Sequence, residues 1–471
     1  MSFLSIKPTI VPRLDPDFRP ISLWNYRYLE AVRDSGHAIP LRIALERNDG
    51  YVSAFRTEIL PPGSEHDEET LLYAERLVKF LLWQRGGWKV VVGGPKEMGD
   101  PIRQIYSSKG ARAFDVELME RIYERPFVVE IVPASEVAKP RESSVALGGH
   151  LDGCRIGFDL GASDYKVAAV VNGEAIFTIE LPWDPKVEPD PEFHYRKINE
   201  GLKLAASHLP RVDAIGGSSA GIIINNQVMV ASLFRAVPRE IFDRQVKPLF
   251  LRLQKEWNVP LEVANDGDIT ALAGAMLLNA TSLLGIAMGS SQAAGYLNGS
   301  GHRTGWLNEL AFAPVDYNSQ APVDEWSGDI GCGSRYFSQQ AVVRLAPKAG
   351  IELPTGHTAE QLKFVQDLHE RGDARAVKIF ETIGVYLGYA LAQYVSMYGC
   401  QHVLVLGRVT SGAGGGVILR KAREVLKADF PEVNQTLSLH LPDEKSKRVG
   451  QAVAAASLPK LKTAMSLFKL V

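Results

Sequence analysis

Along residues 67–85, DEETLLYAERLVKFLLWQR, the apolar positions Leu72, Ala74, Leu77, Phe80 and Leu81 roughly follow a helical period. Asp67, Glu68 and Glu69 crowd the first turn, where the helix dipole favours negative charge, and Gly86-Gly87 stops the pattern. Ahead of this helix the chain reads as a proline-punctuated arm (Pro8, Pro12, Pro16, Pro20) and a helix from Leu23 to about Asp34. Two strands come next, Arg42–Leu45 and Tyr51–Phe55, around Asn48-Asp49-Gly50. Behind it a buried strand, Trp88–Val92, ends in Gly93-Gly94-Pro95. A helix over Val116–Glu124 then leads into the strand FVVEIV at 127–132, and a polar linker covers about 139–149.

The stretch Arg155–Gly173, RIGFDLGASDYKVAAVVNG, predicts two apolar strands, IGFD and KVAAVV, around a small-residue turn. Asn172-Gly173 closes it as a tight hairpin, because both central positions of such a turn need positive φ. A third strand (175–180), a helix (about 192–208) and the strand VDAIGG ending in Ser218-Ser219-Ala220-Gly221 come next. A helix over 241–257 and the strand PLEVAN then run straight into Asp266. This order predicts an α/β lobe with a mixed sheet. The pattern restarts with strands Leu283–Met288 and Ala294–Leu297, a long helix over 373–398, and HVLVLG reaching Gly407 and a glycine-rich turn to Gly416. Two lobes, each opening on a small-residue hairpin turn, imply a cleft.

Composition narrows the class. At 471 residues two or three domains are expected, and 46% hydrophobic with 23% charged residues is ordinary for a globular chain. A formal charge of −2 gives no electrostatic case for a nucleic acid or membrane partner. The three cysteines, Cys154, Cys332 and Cys400, are widely spaced and odd in number, which suggests a reducing compartment. With no apolar run of signal or membrane-spanning length, a cytoplasmic location is expected.

The candidate chemistry lies in the turns. Gly161 and Ala162 let backbone approach a ligand, Ser163 adds a hydroxyl, and Asp159 ends a strand where a carboxylate can hold a cation through water. Asp266 succeeds a strand and precedes the apolar run Ile269–Leu278; as a helix cap Asp268 fits better, which leaves Asp266 for other work.

These stretches resemble, in order, the motifs of the sugar kinase and actin-like ATPase superfamily, and in detail its ROK branch of sugar kinases and sugar-responsive repressors. Asp159-Leu160-Gly161-Ala162-Ser163 looks like the first phosphate motif, D-x-G-G-T. Gly217–Gly221 looks like G-x-x-x-P-G with alanine for proline. Asn265-Asp266-Gly267-Asp268 resembles the N-D-x-N motif that carries the catalytic aspartate. Gly289-Ser290-Ser291 opens a segment similar to the second phosphate motif, Leu406-Gly407 through Gly412 resembles the adenosine-side motif, and Gly450–Leu458 the C-terminal one. The resemblance implies ATP and Mg²⁺ as cofactors, with Asp159 supporting the ion through water and Asp266 as base. It implies sugar contacts from Asn265, Asp266, Glu309 and Gly221, and nucleotide contacts from Gly161, Ala162, Ser163, Gly289, Ser290, Ser291, Gly407 and Gly412. A homodimer is carried as an expectation for assembly.

The departures are equally specific. Asn308-Glu309-Leu310-Ala311-Phe312 lines up with G-E-x-G-H, so Phe312 replaces the histidine that contacts sugar and zinc. In the family's zinc segment only Cys332 remains of three cysteines, Glu325 and Ser327 taking the others, and Ser334 stands for a sugar-binding glutamate. One thiolate cannot close a zinc site, so no zinc is expected.

The predicted fold class is α/β: a two-lobed sugar kinase/actin-like ATPase fold with an extra N-terminal α/β domain over 1–145. The first lobe is expected over 150–265 plus about 440–471, and the second over 266–440. The N-terminal part resembles no helix-turn-helix. It either echoes the first lobe as a degenerate repeat or is similar by chance, and both readings stay open. Two functions are carried forward, an ATP-dependent carbohydrate kinase and a non-catalytic sugar or nucleotide sensor.

Overall fold

The computed structural model describes residues 6–162 and 164–461, and among these the side chains of Asp164 and residues 444–449 are not described. The chain forms two compact units. One comprises Met1–Ser144, Ala287–Ala293 and Thr304–Leu441; the other comprises Val145–Ile286, Ala294–Arg303 and Pro442–Val471. The N-terminal segment therefore belongs to the same unit as residues 304–441, where the sequence suggested a domain of its own.

In the second of these units the strands lie in the order Leu261–Asn265, Ala214–Ser219, Cys154–Leu160, Asp164–Val171, Glu174–Pro182. The last three form an antiparallel meander, and the first three run parallel. Asn172 (φ 48°) and Gly173 (φ 85°) make the tight turn their sequence predicts. One face of the sheet is filled by Ile156, Phe158, Leu160, Val167, Ile215 and Val263, under Leu202, Phe250 and Leu253. The helix Glu444–Ala456 lies so close to the other face that a methyl group on Gly216 would sit 1.7 Å from the Ala455 carbonyl oxygen. The expected single helix over 241–257 is broken. A short turn at Arg239–Ile241 and wider π-type turns over Phe242–Val246 precede Leu249–Trp257, because Pro248 has no N–H with which to continue the ladder.

In the other unit the N-terminal sheet has the order Val52–Ile59, Ile39–Glu46, Lys89–Gly93, Val128–Val132. Its strand order matches the echo read from the sequence, but its directions do not. Ile39–Glu46 is antiparallel to Lys89–Gly93, whereas the corresponding pair Cys154–Leu160 and Ala214–Ser219 is parallel. The cause is one missing strand. A helical crossover joins parallel strands. After a two-strand meander it delivers a strand antiparallel to the first, and after a three-strand meander a parallel one. The N-terminal sheet thus shares the strand order of the other sheet and differs from it in the direction of this pair.

The helix Asp67–Arg85 keeps the boundaries its pattern gave, and Asp373 caps the long helix Ala374–Tyr398. His402–Leu406 pairs in parallel with Ser438–His440. The glycine-rich turn expected to reach Gly416 is shorter, because a helix already starts at Ala413.

Candidate active site

Parallel register places Asp159 beside Ser218 and Asn265 beside Ser219, at the carboxyl ends of three adjacent strands, where open α/β sheets bind ligands. The Ser218 hydroxyl donates to Asp159 Oδ1 at 2.6 Å. Asn265 is the N-cap of the helix Asp266–Leu278, its Oδ1 accepting from the Gly267 N–H at 2.7 Å while its Nδ2 donates to the Gly221 carbonyl at 2.8 Å. The cap is therefore Asn265 and not Asp268, which is buried 3.6 Å from Arg303.

Asp266 thus occupies the first helical position. Its Oδ1 accepts from the Gly267 N–H at 3.0 Å, and its carbonyl accepts from Thr270 Oγ1 at 2.8 Å. Thr270 Oγ1 in turn accepts from Gln451 Nε2 at 3.0 Å, so the C-terminal helix braces this turn. Gly267 passes so close to the strand Gln292–Leu297 that a Cβ there would lie 1.9 Å from the Ala294 carbonyl oxygen, and the helix start has no room to shift.

Burial, then the neighbouring carboxylate of Asp159, push the Asp266 carboxyl up to about 7, against the opposing pull of the Gly267 N–H. A carboxylate whose proton affinity a neighbouring carboxylate raises suits a hydrated cation, which usually keeps several waters and takes only one or two carboxylates. Among the described residues no three His, Cys, Asp or Glu side chains cluster to hold a metal by themselves.

The remaining candidates fall as follows. The Gly161 carbonyl accepts from Trp183 Nε1 at 2.9 Å, and Gly161 and Ala162 are partly exposed. Ser163 lies outside the described residues. In the other unit Gly289 closes a turn by donating its N–H to the Ser291 carbonyl at 2.9 Å, leaving Ser290 and Ser291 exposed. Gly407 (φ 104°) packs against the main chain of Met288, beside that turn, and Gly412 caps the helix Ala413–Asp429. Glu309 is partly exposed.

The positions that depart from the motifs are engaged in packing. Phe312 sits 4.4 Å from the Trp83 ring and 5.6 Å from Phe114. The Ser334 hydroxyl donates to Asp324 Oδ1 at 2.7 Å in a buried setting. Cys332 is fully buried, and burial pushes its thiol far above the usual range. Ser218 and Thr270 are site residues that sequence reasoning did not single out. The signal for Ser218 is the parallel register, which single-strand patterns do not carry.

The sequence signature of the ROK family matches residues 155–434, more than half of the chain. A glucokinase from Halalkalibacterium halodurans is 24% identical over 296 residues, covering 58% of this chain and 85% of that one. Among solved structures, a glucokinase from Streptomyces griseus of that family, in complex with glucose and AMPPNP, superposes with a TM-score of 0.53 at 20% identity, covering 65% of this chain and 99% of its own. A transcriptional regulator described as a homologue of the E. coli MLC protein also gives 0.53, at 18% identity over 65% of this chain and 79% of its own. The two-lobed sugar kinase/actin-like ATPase fold is therefore shared by kinases and a regulator. Among the described residues no helix is long and apolar enough to cross a membrane.

Proposed function

Because the chain belongs to the ROK family, we propose that it transfers the γ-phosphoryl group of ATP to a hydroxyl of a hexose or related sugar, with Asp266 as general base. The observation that carries this is the Asp266 carboxyl, seated at a braced helix start beside Asp159 and poised near neutral pH. A base poised there can be deprotonated before the reaction and still take a proton during it. As the sugar oxygen bonds to phosphorus, its proton passes to the Asp266 carboxylate and the bond from phosphorus to the ADP oxygen breaks. Asn265, fixed by its bonds to Gly267 and Gly221, holds the backbone from which Asp266 projects.

Mg²⁺, when bound, supplies charge compensation for the triphosphate, and Asp159, oriented by Ser218, is the residue that would hold it through water. Gly161 and Ala162, and separately Gly289, Ser290 and Ser291, are the proposed phosphate turns. Gly407 and Gly412 are proposed for the adenosine side, and Glu309 and Gly221 for sugar hydroxyls. The glucose and AMPPNP held by the Streptomyces griseus relative support a hexose and ATP as ligands.

A second reading, a sensor that binds without catalysis, is favoured by Phe312 and Ser334, which packing withholds from any sugar. A screen of hexoses, amino sugars and polyols for ADP release separates the two. The kinase reading expects at least one sugar to stimulate release. ATP binding with no release above background for any sugar would establish the sensor.

A further inference from the structure

The helix Asp67–Arg85 lies outside the part of the chain that the family signature matches. Its last carbonyls have no partner within the helix and need donors from elsewhere. The Gly86 N–H serves the Leu82 carbonyl and Arg47 serves that of Arg85, while the two between them are served by one short loop: the Asn308 N–H donates to the Gln84 carbonyl at 2.9 Å, and the Glu309 N–H donates to the Trp83 carbonyl at 2.9 Å. Asn308 is held at φ 56°, a left-handed conformation that asparagine tolerates, and its Oδ1 accepts from the Tyr398 hydroxyl at 3.1 Å.

The same loop is tied a second time. Residues 311–315 hydrogen-bond to 331–334, through Gly333 N–H to the Ala313 carbonyl (3.0 Å) and Ser334 N–H to the Ala311 carbonyl (2.9 Å). Just before that segment Asp329 enters a buried ionic cluster, 3.0 Å from Arg76, 3.1 Å from Lys79 and 2.6 Å from Arg112. Glu75 and Asp115 complete it, so that three cations face three carboxylates. Such a cluster is a weak source of stability but a demanding one geometrically, since a partner out of place leaves a buried charge uncompensated.

We propose that the helix Asp67–Arg85 is the positioning element for Glu309, setting the main chain on which this sugar contact sits through the carbonyls of Trp83 and Gln84 and the ion pairs to Asp329. This rests on Glu309 contacting sugar, as in the proposed function. The N-terminal segment is then part of the substrate-recognition machinery and not an appended module.

The test uses the full chain carrying Arg76→Met with Asp329→Asn. This pair removes one charge of each sign and leaves Lys79–Asp115 and Arg112–Glu75 closed within the N-terminal segment. Glucose and AMPPNP affinities are measured by calorimetry, and amide exchange is followed over 308–316. The inference expects glucose affinity to fall at least about tenfold, the scale of a lost charged hydrogen bond, with AMPPNP affinity unchanged. It expects the Asn308 and Glu309 amides to exchange faster. Glu309→Gln should weaken glucose similarly and add little on top of the double variant.

If Glu309→Gln weakens glucose but the double variant does not, the inference is overturned while the sugar-contact reading stands. If Glu309→Gln leaves glucose binding unchanged, that reading falls and takes the inference with it. Should the double variant fail to fold, Phe312→Leu keeps the position apolar and loosens the same loop from Trp83 of the helix. It should then weaken glucose and speed exchange at 308–309, and wild-type values for both would overturn the proposal.

Discussion

Replacing Asp266 by asparagine should make the protein more stable and far less active at the same time. The Asp266 carboxyl titrates at about 7 in the folded chain, against about 3.9 for a free aspartate. Below about pH 4 it is protonated folded or unfolded, and the site carries no penalty. As pH rises toward 7 the unfolded chain gives up the proton freely while the folded chain must keep it or ionise beside Asp159, so stability falls across this window. The full shift is worth about 4 kcal/mol at 1.36 kcal/mol per unit. Asp266 is only partly buried, so water screens it, and we expect about 2 kcal/mol to be realised. Asparagine keeps the shape and has no charge to ionise. Melting followed from pH 4.5 to pH 8 should show the variant drawing level at the acid end and exceeding wild type by several degrees at pH 8, at roughly 2–4 °C per kcal/mol. Phosphoryl transfer should fall by about 10²–10⁴-fold, the usual loss for a positioned base. A variant less stable than wild type at pH 8, or a gap that does not move with pH, would refute the electrostatic argument.

Three further outcomes rest on the same geometry. The pH profile of kcat/KM should have an acid limb near 7, rising as Asp266 loses its proton, and Asp159→Asn should move that limb to lower pH by removing the neighbouring charge; a limb that stays put would show that Asp159 does not act on it. Ser218→Ala, which removes the donor 2.6 Å from Asp159, should lower kcat/KM about 10–100-fold with little change in melting, read by steady-state kinetics. Elemental analysis of protein purified without added metal should find far less than one equivalent of zinc, since Phe312 is packed on Trp83 and Cys332 is buried as a thiol; stoichiometric zinc would contradict this.

The features legible in the sequence were local. The periodicity of 67–85, the Asn-Gly turn at 172–173 and the strand running into Asp266 each appear where their residues put them, because each depends on neighbours in the chain. The features it hid depend on partners far along the chain. Asn265 and Asp268 are equally good caps by type, and only the burial of Asp268 beside Arg303 decides between them. Ser218 reaches Asp159 through a register no single strand encodes. The N-terminal sheet agrees with the echo in strand order and not in direction, because a two-strand meander before the crossover reverses the strand after it relative to a three-strand one. Phe312 and Ser334 looked like losses from a sugar site; in the fold they are contacts of the N-terminal aromatic cluster and of Asp324.

The central claim is that Asp266 accepts the proton of a sugar hydroxyl as ATP phosphorylates it. The most direct measurement is the transfer of labelled γ-phosphate to sugar in a single turnover, comparing wild type with Asp266→Asn at saturating ATP and sugar. The account predicts a labelled sugar phosphate from wild type, and from the variant the same product at a rate lower by about 10²–10⁴-fold with both ligands still bound. Equal rates in the two proteins would contradict it, as would a wild type that binds both ligands and forms no labelled sugar.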